Sequence, residues 1–166
     1  MPTISDVPTG PIRVGVLTVS DRAAAGVYED RGGPAVLAFL ADRKGEWDPV
    51  TKIVTDDVER IAAAVLAFLA DGCRLVIATG GTGPAARDVT PEAVAPLLDT
   101  DLPGFGEKMR ADNWARVPTA ILARQTCGVR GDALILTLPG SPKAVPECLE
   151  SVWPAAVHCL NLIAES

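Results

Sequence analysis

The chain has 166 residues, 48% hydrophobic and 22% charged, a composition that suits one soluble globular domain with a full core. Fifteen basic against 21 acidic residues leave a formal charge of −6, which argues against non-specific nucleic-acid binding and against docking on an anionic membrane. The four cysteines are not spaced as CxxC and the only histidine is His158, so no structural zinc site is expected. No signal peptide and no membrane span is read from the sequence, which predicts a cytoplasmic protein.

Residues 1–11, rich in Pro, Thr, Ser and Gly, read as a flexible lead-in to a single domain over 12–166. Ile12 to Val19 is β-branched and almost wholly apolar, the pattern of a strand buried on both faces. Gly32 to Arg43 reads as a helix with Val36, Phe39 and Leu40 on one face, and Lys52 to Thr55 as a short strand. Asp57 to Asp71 is the clearest helix, because Val58, Ile61, Ala62, Val65, Leu66 and Leu69 recur at helical spacing. Arg74 to Ala78 returns to strand and ends at the glycines of 79–84. Thr90 as N-cap with Pro91 behind it opens a helix to Leu98. Gly104 to Trp114 reads as helix, and Pro118 to Arg124 as either a helical turn or a strand. Gly131-Asp132 reads as the turn of a hairpin joining Cys127–Arg130 to Ala133–Leu138. Helices over Pro142–Val152 and Pro154–Glu165 complete the chain. Strands alternating with helices predict an α/β fold with a mainly parallel sheet, helices on both faces, and one antiparallel edge strand from the hairpin.

In such sheets ligands bind beyond the carboxyl ends of the strands. The predicted ends run into Ser20-Asp21-Arg22, Asp56-Asp57, Thr79-Gly80-Gly81-Thr82-Gly83 and Pro139-Gly140-Ser141-Pro142-Lys143. The glycine loop can converge backbone N–H groups into an anion nest, although it is neither a Walker A loop nor a dinucleotide fingerprint. Pro139-Gly140-Ser141 is a second candidate nest. Asp56 and Asp88 would suit a phosphate-binding rim if they hold a divalent metal, since otherwise they repel phosphate. The structural alternatives are a capping box of Asp56 with Glu59 and a loop position for Asp88 near the Thr90 cap. Asp21 and Asp30 read equally as turn and helix-start residues. Arg22, Arg87, Arg124 and Arg130 can each pair with phosphate or stand solvated at the surface. His158 reads as packing or surface, and Cys127 as a small buried side chain. Trp47, Trp114 and Trp153 are interface anchors if exposed. No Ser-His-Asp or Cys-His arrangement can be assembled. The residues alone thus describe an α/β phosphate- or nucleotide-binding domain assisted by a metal.

Five motifs occur in one order: Val19-Ser20-Asp21-Arg22 with Gly26, Tyr28 and Asp30; Thr79 to Gly83; Arg87-Asp88-Val89-Thr90-Pro91; Pro103-Gly104-Phe105-Gly106-Glu107; and Leu138 to Lys143. Together they resemble the molybdopterin adenylyltransferases of the MogA/MoaB type, over about residues 12–163. They are also similar to the G domains of plant and animal molybdenum-cofactor proteins. The resemblance implies a three-layer α/β/α domain that binds molybdopterin, and a homotrimer. It implies transfer of AMP from Mg-ATP to the terminal phosphate of molybdopterin with release of pyrophosphate, and hand-over of the product to the molybdate-insertion enzyme. It assigns catalysis with Mg2+ to Asp56 and Asp88. The glycine loop Thr79, Gly80, Gly81, Thr82 and Gly83 would cradle phosphates, and Ser20, Asp21, Glu107, Arg124, Pro139, Gly140 and Ser141 would line the pocket. Where many members carry Ser-Arg, this chain has Ala123-Arg124, and its C-terminal region from Val152 is short. A non-catalytic molybdopterin-binding carrier is the alternative.

Overall fold

The computed structural model describes residues 7–165, so most of the expected lead-in lies outside the described residues. Within the described part, Pro8 is buried and Thr9 N donates to Asn161 Oδ1 at 2.8 Å, while Asn161 Nδ2 donates to the Val7 carbonyl. Among the described residues six strands form one sheet in the order β2-β1-β3-β6-β5-β4. They are β1 (Ile12–Val19), β2 (Trp47–Val54), β3 (Leu75–Thr79), β4 (Thr100–Asp101), β5 (Cys127–Arg130) and β6 (Ala133–Leu138). β2, β1, β3 and β6 run parallel, and β5 is antiparallel to β6. A two-residue β4, for which the sequence carries no signal, pairs outside β5 and forms that edge.

The central strands are almost wholly buried on both faces, as their near-continuous apolar runs require. One face is covered by α2 (Gly32–Ala41), α5 (Gly104–Trp114) and α6 (Ala144–Ala164), and the other by α3 (Val58–Ala70) and α4 (Thr90–Val94). The fold is therefore the expected three-layer α/β/α sandwich. Gly15 of β1 has no side chain because Phe68 of α3 occupies that space: a Cβ there would stand 2.5 Å from the Phe68 ring.

Several local expectations are corrected. The edge strand β2 is twice as long as the short apolar run suggests, pairing from Ile12↔Trp47 to Val19↔Val54. Most of its residues are exposed, Asp48, Thr51 and Lys52 among them, so pairing with β1 rather than its own hydrophobicity defines it, and Pro49 is tolerated because the strand is an edge. The two C-terminal helices are one helix of 21 residues that runs through Pro154. Val145, Leu149, Val152, Trp153, Ala156, Val157 and Leu160 bury one continuous stripe, which outweighs the hydrogen bond lost at the proline. Helix α4 is short and passes into a 3-10 turn at Ala95–Leu97, and Pro118–Leu122 is also 3-10. The hairpin turn is as read, with Gly131 at φ +57°. Trp153 packs edge-on against Phe39 with ring centroids 5.1 Å apart and is a core residue, Trp47 packs half-buried against it, and Trp114, 52% exposed, is the open one.

Candidate active site at the carboxyl ends of the strands

The carboxyl ends of β1, β2, β3 and β6 open onto a cleft of about 190 Å³. Ser20, Asp21, Asp56, Thr79, Gly80, Gly81, Asp88 and Gly140 all line it, so the structure brings together most of the site residues expected from the sequence. The glycine loop is shaped by two left-handed residues, Gly80 at φ +100° and Gly81 at φ +66°. Gly80 N donates to the Leu138 carbonyl at 3.1 Å and Thr79 Oγ1 to the Pro139 carbonyl at 2.8 Å, which fastens this loop to the one after β6. Thr90 is not the N-cap of α4; that position is Val89, without a side-chain cap. Thr90 is instead fully buried and donates from Oγ1 to the Gly80 carbonyl at 2.8 Å and from N to the Gly81 carbonyl at 3.0 Å.

Asp56 is likewise not a helix cap. Asp57 takes that role, accepting from Arg60 N at 2.9 Å. Asp56 N donates to Asp21 Oδ1 and Asp21 N donates to Asp56 Oδ2, which couples the ends of β2 and β1. Burial, and then the charges of Asp21 and Asp88, push the Asp56 carboxyl above the usual carboxylate range, while the bond from Asp21 and the nearby Arg87 pull it back. Asp88 accepts from Ala85 N at 3.0 Å, and Gly83 makes room for it, since a Cβ there would stand 2.6 Å from Asp88 Oδ2. Among the described residues no group of three or more His, Cys, Asp or Glu side chains gathers to hold a metal. Two carboxylates with hard oxygen donors fit an ion such as Mg2+, which completes its shell with water and substrate phosphates rather than with a protein cage.

Other expected site residues stand apart. The Arg124 guanidinium donates to the carbonyls of Gly83 (3.0 Å) and Asp88 (2.7 Å) and pairs with Glu92. It is a strut under the glycine and Asp88 loop, to which its own N–H adds a bond to the Thr82 carbonyl. Thr82 itself is buried. Arg130 is spent on the Leu97 carbonyl. Glu107 is exposed in the first turn of α5 and lines neither cavity.

Pro139 and Ser141 turn to a second cavity of about 230 Å³, while Gly140 and Pro142 of the same loop face the first. Ala123, Gln125, Asn113, Met109 and Cys148 also line the second cavity. Its Gln125 is 3% exposed and its Oε1 has no hydrogen-bond partner among the described residues, an acceptor held ready inside a mainly apolar wall. Burial pushes the Cys148 thiol up to about 11, so it is no nucleophile at neutral pH. The first cleft also holds Thr18, Tyr28 and Arg31, none of them among the site residues expected from the sequence. Tyr28 falls inside one of the five motifs. Arg31 and Thr18 carry no signal of their own.

Fold and cleft together define a class: a three-layer α/β domain with a cleft rich in carboxylates and backbone amides at the carboxyl edge of its sheet. The family model described as “Probable molybdopterin binding domain” matches residues 15–158. The chain is 46% identical to the molybdopterin adenylyltransferase of Helicobacter pylori strain 26695, covering 92% of this chain and 88% of that one. It is also 46% identical to the molybdopterin adenylyltransferase of Escherichia coli K12, covering 87% and 75%. Among solved structures it superposes on the molybdopterin biosynthesis enzyme MoaB of Thermus thermophilus with a TM-score of 0.84 at 43% identity, over 93% of this chain and 98% of that one. The Mog protein of Mycobacterium ulcerans gives 0.85 at 34%, over 92% and 99%. The chain belongs to the molybdopterin adenylyltransferase family.

Proposed function

We propose that this protein is a molybdopterin adenylyltransferase of molybdenum cofactor biosynthesis. It transfers AMP from ATP to the terminal phosphate of molybdopterin and releases pyrophosphate. The observation that carries the reading is the convergence of Asp56 and Asp88 on the glycine loop in one cleft, with a second cavity across a shared loop. Two cavities with the Pro139–Lys143 loop as common wall suit two substrates meeting at their phosphates. The nucleotide phosphates take the first cleft and the pterin the second, where Gln125 Oε1 can accept from a ring N–H.

Joining two phosphates is opposed by charge repulsion, so positioning and oriented donors supply most of the catalysis. An oxygen of the pterin phosphate attacks the α-phosphorus, and no covalent enzyme intermediate is needed. The glycine loop, locked by Thr90 and Thr79, holds the phosphates without reorganisation. Asp56 and Asp88 would hold Mg2+, which neutralises phosphate charge when bound. Asp21 keeps the Asp56 carboxylate in place. Ala123 leaves this wall of the second cavity without a hydroxyl.

The names of the relatives favour the enzyme over a non-catalytic carrier, which has no use for two carboxylates beside phosphates. No described helix is long and apolar enough to cross a membrane, and a cytoplasmic setting suits the substrates. We also place the chain in a homotrimer that hands its product to the molybdate-insertion enzyme; exposed Trp114, Ile121 and Leu122 are open to such contact. The test is ATP-dependent AMP transfer to molybdopterin with Mg2+. Adenylylated pterin is expected from the wild type and not from Asp56→Ala or Asp88→Ala. Pterin binding without product would favour the carrier.

A further inference from the structure

Seven of the eleven arginines hold a side-chain hydrogen bond among the described residues, as Arg124 and Arg130 do. The other four are Arg22, Arg31, Arg60 and Arg87, and three of these, Arg22, Arg31 and Arg87, line the first cleft. Each carboxylate of that cleft is engaged: Asp21, Asp30, Asp56 and Asp88 all accept a backbone N–H. Each of these carboxylates is thus held in place by the backbone, whereas the three guanidiniums carry no side-chain hydrogen bond among the described residues and keep their donors open. In a chain of net charge −6, the three guanidiniums stand on one concave surface beside Asp21, Asp30, Asp56 and Asp88, so an anion there is held by directed donors rather than by net charge.

Two of the three are also organised. The short helix α1 (Asp21–Ala24) ends in a Schellman turn: Val27 N donates to the Arg22 carbonyl, Gly26 N to the Ala23 carbonyl, and Gly26 takes φ +70°. Tyr28 N also donates to the Arg22 carbonyl, which folds the loop back on itself. The Arg22 guanidinium lies 5.4 Å and that of Arg31 5.9 Å from the centre of the Tyr28 ring. A shared ring holds both cations by cation–π attraction without consuming their hydrogen-bond donors.

We infer that Arg22, Arg31 and Arg87 form the subsite for the two terminal phosphates of the nucleotide, the group that leaves as pyrophosphate, with Tyr28 as the residue that positions the first two. The inference rests on the adenylyltransferase reading. Most of the triphosphate's charge sits on those two phosphates. In the transfer, a bond forms from the pterin phosphate oxygen to the α-phosphorus. The bridging bond from the α-phosphorus to the β-phosphate oxygen breaks, and its electron pair stays on pyrophosphate. Forked donors aimed at that group bind the substrate and stabilise the charge that develops on it. None of the three arginines lines the second cavity, so the pterin side is left to other residues.

Calorimetric titration of the full chain with inorganic pyrophosphate, and separately with AMP, tests this. Wild type should bind pyrophosphate, and Arg22→Ala, Arg31→Ala and Arg87→Ala should each weaken it about tenfold while AMP affinity stays within about twofold. Arg60→Ala, outside the cleft, should change neither. Tyr28→Phe should keep pyrophosphate affinity and Tyr28→Ala should lose it. Absence of pyrophosphate binding by wild type, affinity unchanged in all three arginine variants, or an equal fall for AMP would overturn the subsite. Wild-type AMP transfer measured alongside separates the two readings. Product with pyrophosphate binding indifferent to the arginines sinks the subsite and leaves the reaction. Selective loss of pyrophosphate without any product keeps the anion site and sinks the reaction.

Discussion

Asp21 and Asp56 hold each other by exchange: Asp21 N donates to Asp56 Oδ2 at 3.1 Å, and Asp56 N donates to Asp21 Oδ1 at 2.8 Å. The residues are 35 apart in the chain and sit just past the ends of adjacent parallel strands. Each carboxylate therefore fixes the other's backbone. Asp56 Oδ1 is left facing the glycine loop, 3.1 Å from where a Cβ of Gly81 would be. A carboxylate placed this way is committed to the cleft rather than to the following helix.

Asp56→Asn keeps an acceptor for Asp21 N and removes the charge. AMP transfer should fall by about 100-fold or more, since charge rather than shape is lost, with the far-ultraviolet circular dichroism unchanged. Wild-type activity retained in this variant would remove Asp56 from the catalytic machinery.

The raised pKa of Asp56 makes a further prediction about pH. Its charged form is disfavoured in the folded state, so the folded protein holds this proton more tightly than the unfolded chain. The destabilisation that follows is fully present at neutral pH and disappears as pH falls through the raised value toward the ordinary carboxylate range. Asp56→Asn should accordingly be at least as stable as wild type at pH 7, with the difference shrinking on acidification in denaturant titrations.

Gly80→Ala should destabilise by about 2 kcal/mol or more, because the added Cβ meets the Val19 carbonyl oxygen and φ is +100°. Gly72→Ala is the control: φ is +82° but nothing lies within 4 Å, so about 1 kcal/mol is expected. Equal losses in chemical denaturation would show that backbone conformation, not the close approach, dominates at Gly80.

Arg124→Lys cannot reproduce a fork that spans two carbonyls and a carboxylate. The variant should lose about 1–2 kcal/mol of stability and lower kcat through the Asp88 loop, with pyrophosphate affinity kept. The Arg124 hydrogen bond holds the Glu92 carboxyl below its usual range, so the support from this pair is present at neutral pH and lost as pH falls through that lowered value. Both side chains are partly exposed, which keeps that pH effect small.

Pro154→Ala should stabilise α6 by about 1 kcal/mol or more, since the helix already runs through this exposed position and the variant restores a donor. A lower midpoint of thermal unfolding would instead mean that the packing of α6 depends on the proline itself.

The sequence by itself determined the elements whose signal is local. The buried strands β1, β3 and β6, the amphipathic α3 and the Gly131-Asp132 hairpin follow from apolar period and turn chemistry, and their order dictates a parallel sheet with its polar residues at one rim. That order alone puts Asp56, Asp88 and the glycine loop on a common edge. Tertiary structure decided what depends on neighbours distant in the chain. β2 is a strand because β1 pairs with it, and α6 passes Pro154 because a continuous apolar stripe is buried beneath it. Thr90 clamps Gly80 instead of capping α4 because the loop folds over it, and Arg124 braces the Asp88 loop because three acceptors converge there. Spacing along a chain records which groups can face the same way. Which acceptor a donor finally meets is set by packing, and packing spent Arg124 on the scaffold and left Arg22, Arg31 and Arg87 without a side-chain hydrogen bond among the described residues.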